Sequence, residues 1–300
     1  AGATDAMPTG FFYRDSGCIE SSGDFRLDHD LDSVPVIDRE LAKWRFYDRE
    51  YNLMGKPYFY IMSGRDCWWG KCGFCSWTLL YPAFRKRSVK NVLEEIEYLV
   101  AQYGAREIFD DAGTMMTGDW LRRLCRGLIE SGLNKKVYYS CNMRFGALKQ
   151  PDYDLMKKAG FRLLKFGLES ACQETLDRLG KGFRVSDIEE GCRMAHNAGL
   201  TVHLTMMVGY PWETRNDAMN TFKLAAGLMK SGLADLLQAT VLVPYPGTPL
   251  WQEAREKDWF LFDPLAYERY DITEPVLMTK DGDPEAVARI CGRIYTVFLS

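Results

Sequence analysis

Three features are scarce or missing in this sequence of 300 residues, and each narrows the kind of protein it encodes. No apolar run reaches the roughly 18 residues of a membrane-spanning helix. The opening residues, AGATDAMPTG, lack the charged and then apolar stretches of a secretory signal, so we expect a cytoplasmic protein without a membrane span. The net charge is -3 and there is no basic block, so nucleic acid is not an expected partner.

Histidine and most of the cysteine offer little chemistry. There are three histidines, and His203 falls in a predicted strand, where we expect a buried barrel residue. Three of the nine cysteines cluster within residues 67–75, and the other six are scattered along the chain. A reducing compartment suits both groups. The scattered cysteines stand mostly among apolar neighbours and are expected to be small buried side chains: Cys18, Cys125, Cys141, Cys172, Cys192 and Cys291.

What the sequence does contain is an alternation of strand and helix patterns. Hydrophobic residues make up 47% of the chain, which is enough for a sizeable core. From residue 57, β-rich runs alternate with amphipathic helical patterns such as VKNVLEEIEYLVAQYG, whose Gly104 is a predicted helix C-cap. The predicted strands are residues 58–63, 106–111, 136–141, 162–169, 201–209 and 236–244.

This alternation favours strands that pair in parallel through right-handed crossovers. Six units are fewer than the eight of a closed barrel, so they form either an incomplete barrel or an open doubly wound sheet. In both architectures the functional residues lie at the carboxyl ends of the strands. We therefore divide the chain into an N-terminal linker segment (1–56), a catalytic barrel portion (57–250) and a C-terminal extension that covers the barrel mouth (251–300).

The first predicted strand is followed by CWWGKCGFCSW, which places Cys67, Cys72 and Cys75 on one glycine-containing loop. Three interpretations compete. A zinc site would need a fourth ligand, and no CxxC or HxxxH partner motif lies elsewhere. A redox dithiol would use Cys72 and Cys75 but leaves Cys67 unexplained. A four-iron cluster held by three thiolates explains all three cysteines and leaves one iron open for a small-molecule ligand.

The loop resembles that of the radical S-adenosylmethionine (SAM) superfamily, in which three cysteines hold a [4Fe-4S] cluster. The family's usual spacing has three residues in the first gap, whereas CWWGKC has four. The second half keeps an aromatic residue before the last cysteine, Phe74, which in the family lies near the SAM adenine. The resemblance implies an α/β fold, a partial (β/α)6 TIM-like barrel of parallel strands with an N-terminal linker segment and a C-terminal helical extension.

Further motifs at the strand ends extend the resemblance: FDDAGTMM, SCNMRFG, FGLES, VGYPWET and VPYPGTPLW. In the family, the acidic motif holds the SAM amino group, the glutamate after the fourth strand bonds the ribose hydroxyls, and the turn after the fifth strand faces the adenine. The residues implied to bind SAM, besides Phe74, are Asp110, Asp111, Ser140, Arg144, Glu169, Gly209, Tyr210, Pro211 and Val243.

Simpler roles compete for several of these residues. The acids of FDDAGT and FGLES could instead begin helices, and Arg144 could join a structural ion pair. One of the basic residues of LDRLGKGFR, which are Arg178, Lys181 and Arg184, could reach the SAM carboxylate, but a solvated face is the expected role for each of them taken singly. In VGYPWET, Thr214 is expected to cap the next helix and Glu213 to serve its first turn.

The linker DLDSVP, together with GYPWET and PYPGTPLW, is similar to the class of the superfamily that carries an N-terminal cobalamin-binding domain. Residues 1–56 are too few for that domain, so we expect a catalytic fragment, a form that lacks the domain, or a chain whose partner supplies it. The resemblance implies reductive cleavage of SAM to a 5′-deoxyadenosyl radical that abstracts hydrogen from a small-molecule or lipid-like substrate. Cobalamin-linked methylation or rearrangement would follow, with an electron donor such as flavodoxin or ferredoxin. A non-catalytic iron–sulfur or zinc scaffold, or a dithiol redox protein, is the alternative.

Overall fold

A parallel six-stranded sheet forms the centre of the fold and positions the helices and the loops at the strand ends. The computed structural model describes residues 9–24, 29–47, 55–80 and 83–297. The strands, in chain order, are β1 (Tyr58–Ile61), β2 (Glu107–Asp110), β3 (Tyr138–Met143), β4 (Phe161–Glu169), β5 (Thr201–Val208) and β6 (Leu236–Val241). They lie side by side in this order and every pair is parallel, with β1 and β6 at the two edges. All six predicted strands are confirmed, with bounds that shift by up to three residues.

Helices fill the connections between the strands and complete the predicted partial (β/α)6 barrel. The helices are α1 (Trp77–Leu80), α2 (Val89–Tyr103), α3 (Gly118–Glu130), α4 (Gln150–Lys158), α5 (Gln173–Arg178), α6 (Val185–Asn197), α7 (Arg215–Lys230), α8 (Pro249–Glu256) and α9 (Pro284–Val297). Short 3-10 turns occur at Leu31–Ser33, Trp44–Tyr47, Leu133–Lys135 and Tyr267–Arg269. The described residues include no helix long and apolar enough to cross a membrane.

Helix α2 shows how local sequence produces these elements. The Ser88 hydroxyl accepts a hydrogen bond from the Asn91 amide and caps the first turn. Gly104 ends the helix in the left-handed conformation, at φ 63°, which confirms the predicted C-cap. Between the caps, Val92, Ile96 and Leu99 are buried against the sheet and α3. Burial of this apolar stripe is what stabilises the helix, because short helices are marginal on their own.

The N-terminal region folds onto the first strand of the sheet. The stretch FFYRDSG suggests a short hairpin, and the structure forms one there and just beyond, with strands Phe12–Asp15 and Cys18–Ser21. Further along, Arg39 donates to the Tyr60 carbonyl at 3.0 Å, and the Trp44 ring packs 5.2 Å from that of Phe59. The stretch DRELAKWRFYDREY (38–51) predicts a helix or a partly ordered arm; it contains the 3-10 turn Trp44–Tyr47, and its residues 48–51 lie outside the described residues.

The prediction for the scattered cysteines is confirmed for four of the six. Cys125, Cys141, Cys192 and Cys291 are buried in the core. It is wrong for Cys18, which is exposed because the hairpin strand Cys18–Ser21 is exposed throughout. It is also wrong for Cys172, which is half-buried at the start of α5.

The C-terminal extension packs at the carboxyl end of the sheet and along α7. Phe260 and Leu277 form an isolated bridge, so the chain doubles back on itself here. Leu277 belongs to an apolar cluster with Tyr210 and Val243 of the two last strand-end motifs. Helix α9 then packs against α7 and β6.

Candidate active site at the cysteine loop

The cysteine loop follows β1 at the carboxyl end of the sheet. The three thiols are free and half-buried: Cys67, Cys72 and Cys75. The Cys75 amide donates to the Cys72 carbonyl at 3.2 Å, which closes the short second half of the motif. The Gly73 amide donates to the Leu179 carbonyl at 3.1 Å, and the Gly73 carbonyl accepts from the Leu250 amide at 3.0 Å. Backbone hydrogen bonds therefore tie the loop to segments that follow β4 and β6.

Two tryptophans in the unusually long first gap anchor the other half of the loop. The Nε1 of Trp68 donates to the Met115 carbonyl at 2.9 Å, and that of Trp69 to the Gly180 carbonyl at 2.7 Å. The Arg144 guanidinium lies 3.7 Å from the centre of the Trp69 ring, a cation–π contact. The four-residue gap thus carries anchoring contacts of its own.

Glycines allow neighbouring segments to press against this loop. A Cβ added to Gly113, in the acidic motif, would lie 2.8 Å from the Cβ of Cys67. Gly182 has φ 62°, and a Cβ there would lie 2.3 Å from a ring carbon of Trp69. Sequence reasoning missed both as site residues, although each stands inside a motif that it singled out.

The thiols lie in surroundings that disfavour their ionisation. The pKa of Cys72 is raised to about 11, chiefly by burial; Lys181 opposes this rise, whereas Cys75, Glu169 and Cys67 contribute to it. Burial likewise raises the pKa of Cys75. Reactive dithiols have lowered pKa values, so this geometry does not favour the redox interpretation. Thiolates at this position need a cationic partner, which suits metal ligands.

The arrangement also bears on the kind of metal centre. Across the described ranges, no group of three His, Cys, Asp or Glu side chains could hold a metal ion. A zinc ion needs its ligands within one tight coordination sphere. A four-iron cluster bonds each thiolate through a different iron, so its cysteines lie farther apart. A donor set of three thiolates without a fourth ligand suits a four-iron cluster, which leaves one iron open, better than a closed zinc site.

The two acids of the acidic motif occupy different environments. Asp110 is fully buried, and its carboxylate accepts hydrogen bonds from two backbone amides and from the Tyr139 hydroxyl at 2.6 Å. Asp111 is half-buried and accepts from Asn142 Nδ2 at 3.0 Å. The Asp110 carboxylate is thus used within the fold, whereas Asp111 lines an open cavity.

A buried ion pair joins Glu169 to Lys181 beside the cysteines. Glu169 has φ 60°, rare for a residue with a side chain, and its Oε1 lies 2.9 Å from Lys181 Nζ. Burial lowers the pKa of Lys181, but Glu169 and Cys72 outweigh that effect and raise it. The expected solvated basic face is therefore wrong for Lys181, because the loop around it turns the side chain inward. The same ammonium lies 6.0 Å from the centre of the Phe74 ring.

The turn after β5 packs against the cysteine loop. Gly209 has φ 94°, and a Cβ there would approach Val241 Cγ1 at 3.2 Å. Pro211 is buried within the turn. Tyr210 and Val243 belong to one buried apolar cluster, against which Phe74 packs. The structure thus brings the predicted adenine-side residues together.

Glu213 does not lie in the first turn of α7 as expected, although Thr214 caps that helix as predicted. The Glu213 carboxylate turns back and accepts from the hydroxyls of Ser170 and Thr175, both at 2.6 Å. Asp217 takes the first-turn position instead. Burial raises the pKa of Glu213 to about 7.

The interior face of the barrel carries a polar row, of which the sequence indicated only Ser140, Asn142 and His203. Ser140 donates to Glu107 Oε1 at 2.6 Å, and Arg162 pairs with the same oxygen at 2.7 Å. Nearer the site, Lys165 is the register partner of Asn142 on β3 and of His203 on β5. Its Nζ donates to Gln238 Oε1 at 3.2 Å.

His203 lies in the barrel as expected and is half-buried. Burial and, to a smaller extent, the Lys165 ammonium lower its pKa to about 4, so its imidazole is neutral at pH 7. Arg178 turns outward, where it pairs with Glu253 and lies 3.9 Å from the centre of the Trp212 ring.

A sequence model of the Radical SAM superfamily matches residues 61–225, a span that holds the cysteine loop and the motifs after β2 to β5. The chain belongs to the radical SAM superfamily. Members of this superfamily use a [4Fe-4S] cluster and SAM, which confirms the two cofactors predicted.

Relatives of this radical SAM chain are longer than it is. An uncharacterized methyltransferase of Pyrococcus horikoshii is 27% identical over 96% of this chain and 61% of its own length. The anaerobic magnesium-protoporphyrin IX monomethyl ester cyclase of Cereibacter sphaeroides is 28% identical over 90% of this chain and 43% of its own length. The chain therefore spans about half the length of these two relatives.

A solved structure confirms the fold. The cobalamin-dependent S-adenosylmethionine radical enzyme OxsB, with aqua-cobalamin and SAM bound, gives a TM-score of 0.65 at 13% identity. The match covers 85% of this chain and 43% of that one. This likeness supports the partial TIM-like barrel.

Proposed function

We propose that this radical SAM chain is the catalytic barrel of an enzyme that cleaves SAM reductively and acts on a small-molecule or lipid-like substrate. One observation carries the proposal. The three thiols, the buried Glu169–Lys181 pair and the apolar cluster around Phe74 meet at one end of the sheet. A metal ligand set, a polar pair and an apolar wall are what SAM bound to a cluster requires.

In this proposal Cys67, Cys72 and Cys75 hold the cluster. When bound, a [4Fe-4S] cluster supplies the electron that splits SAM into methionine and a 5′-deoxyadenosyl radical. The chain's own residues stabilise the ionised form of Cys72, because the Lys181 ammonium and the Arg144 guanidinium both attract its thiolate. The surrounding apolar burial excludes water from the site.

We assign the SAM contacts according to the geometry of each side chain. Glu169 binds Lys181 through Oε1, so Oε2 can accept from a ribose hydroxyl. Asp111, rather than Asp110, is proposed for the amino group, since the Asp110 carboxylate already accepts three hydrogen bonds. Arg144 is proposed to position the loop through Trp69.

The remaining predicted contacts divide in the same way. Phe74, Tyr210 and Val243 are proposed to form the apolar side of the adenine pocket, and the turn at Gly209–Pro211 to supply backbone groups. Ser140 already donates to Glu107, so its contribution is proposed to be support of the barrel interior.

Cobalamin-linked methylation or rearrangement is the reaction class that we propose. The two curated relatives are named as a methyltransferase and a cyclase, and the solved neighbour binds cobalamin. The cobalamin-binding domain would come from outside these 300 residues or from a partner chain. Flavodoxin or ferredoxin would supply the electron.

Anaerobic reconstitution with iron and sulfide, followed by electron paramagnetic resonance, tests the proposal. We expect a four-iron signal that changes when SAM is added, and 5′-deoxyadenosine after reduction. Alanine at any of the three loop cysteines should abolish both, whereas Cys125→Ala, which removes a buried thiol from α3, should retain both. Bound zinc with no cluster, or SAM cleavage that survives in a loop variant, would refute the proposal.

A further inference from the structure

A cavity of about 500 Å³ lies beside the cysteine loop, and none of the three cysteines lines it. One wall is apolar and comes from the segment 34–37 that crosses the end of β1. Val34, Val36 and Ile37 of this segment are each about half exposed. Ile61 and Met62 continue the apolar lining at the strand end. Apolar side chains left exposed around a cavity indicate a ligand with a largely apolar body.

The other wall is strongly cationic. Four arginines and two carboxylates line the cavity. Two of the arginines have a carboxylate partner, since Arg39 and Arg87 share the carboxylate of Glu95 at 3.0 and 2.5 Å. The four guanidiniums outnumber the two carboxylates, so the lining carries a net positive charge, and within the described residues neither Arg65 nor Arg85 lies within ion-pair distance of a carboxylate.

These two arginines stand directly opposite each other on a short antiparallel ribbon, Gly64–Arg65 with Arg85–Lys86. Like charges at such paired positions destabilise a ribbon. Nε and Nη1 of Arg85 are buried and have no hydrogen-bond partner among the described residues. Asp66 attracts both guanidiniums, but its carboxylate accepts no hydrogen bond from any residue that the structure describes. Arg85 therefore offers unused N–H donors in the forked geometry that binds oxyanions. Arg65, whose Nη1 donates to Met62 Sδ at 2.5 Å, stands opposite it and adds a second positive charge.

The cavity is next to the proposed reaction centre. Arg65 stands two residues before Cys67, and Asp111 of the acidic motif lines the cavity. That motif presses against Cys67 through Gly113. A ligand anchored at the ribbon would place its apolar body against segment 34–37 and the end of β1, in the cavity that Asp111 also lines.

We propose that this cavity binds the oxyanion, a carboxylate or a phosphate, of an amphipathic substrate. Arg65 and Arg85 hold the anion, and segment 34–37 covers the apolar body. The identification of this ligand as a substrate rests on the proposed function. The inference narrows that substrate to an acid with a largely apolar framework.

Titration of the reconstituted protein with 1-pyrenebutyrate and with the neutral 1-pyrenebutanol tests the proposal by fluorescence. We expect the carboxylate to bind roughly tenfold to a hundredfold more tightly, as charge-assisted hydrogen bonds would give. Competition by dodecanoate and by dodecyl phosphate then identifies which oxyanion the site prefers. This comparison needs no variant, and equal affinities for the acid and the alcohol would overturn the proposal.

Variants localise the effect. Arg85→Gln should abolish the preference for the acid, and Arg85→Lys should keep part of it, because lysine retains the charge without the fork. The matched control is Arg193→Gln on α6, where an exposed arginine pairs with Glu189, and it should keep the full preference. A preference unchanged in Arg85→Gln would place the anion elsewhere.

SAM cleavage, measured in the same preparations, separates this inference from the proposed function. Cleavage without acid preference overturns the cavity assignment alone. Acid preference without cleavage supports the anion site and overturns the proposed function. Displacement of the bound pyrene acid by equimolar hydroxocobalamin would overturn the assignment to a substrate, because the cavity would then belong to a cofactor.

Discussion

At the residue scale, the site depends on buried ionisable side chains whose partners come from other segments. Glu169 with Lys181, and Glu213 with its two hydroxyl donors, illustrate two ways of burying a carboxylate. The first has a cation, the Lys181 ammonium, as its partner. The second has neutral donors, so burial favours its protonated form.

Glu213 therefore predicts a pH-dependent stability. Its pKa rises from 4.5 to about 7 on folding, so the folded state binds the proton more tightly. The resulting stabilisation is complete below about pH 4.5 and is lost as the pH rises through about 7. We expect the free energy of unfolding of the wild type, relative to Glu213→Gln, to fall by up to roughly 3 kcal/mol between pH 5 and pH 8. Urea denaturation of both proteins at the two pH values measures it, and a pH-independent difference would contradict the assignment.

The tryptophans of the cysteine loop predict a graded effect on cluster retention. Trp69→Phe removes the hydrogen bond to the Gly180 carbonyl but keeps a ring under Arg144, whereas Trp69→Leu removes both contacts. We expect iron and sulfide content after reconstitution to fall moderately in the first variant and severely in the second. Trp120→Phe is the control, since it loses a similar hydrogen bond, to the Arg87 carbonyl, outside the loop. It should cost about 1 kcal/mol of stability and keep the cluster.

At the scale of elements, close packing between loops determines which glycines tolerate a larger side chain. Gly113→Ala would place a Cβ 2.8 Å from that of Cys67, so the acidic motif and the cysteine loop must separate. Gly227→Ala on α7 meets nothing within 4 Å and should stabilise that helix by roughly 0.5–1 kcal/mol. We expect the first variant to lose most of its iron and the second to retain it while melting at a higher temperature. Equal iron content in the two would show that the contact at Gly113 is unimportant.

The same scale explains what the sequence could and could not predict. The six strands and the cysteine loop were predictable because periodicity and spacing are local signals. The ribbon carrying Arg65 and Arg85 was not, because two-residue strands have no period to detect. Lys181 and Glu213 were misplaced because their partners come from other segments, and a side chain's direction there depends on tertiary packing.

At the scale of the whole molecule, the cysteine loop joins distant parts of the chain. Gly73 forms backbone hydrogen bonds with Leu179 and with Leu250 at the start of α8, and Trp68 donates a hydrogen bond to the acidic motif. A ligand held by the loop therefore restrains three further segments at once. Helix α4, on the outside of the barrel, makes no such contact within the described ranges.

This connectivity predicts where cluster loading should slow amide hydrogen exchange. We expect protection in residues 66–75, 111–116, 178–183 and 248–251, with little change in α4, because binding to the folded state suppresses the local openings that expose those amides. The measurement compares reconstituted and unloaded protein under anaerobic conditions. Cys75→Ala protein treated identically is the control and should show no protection. Protection confined to 66–75 would mean that the loop binds its cluster without engaging the rest of the barrel mouth. Uniform protection throughout the sheet would instead mean that the cluster stabilises the fold as a whole.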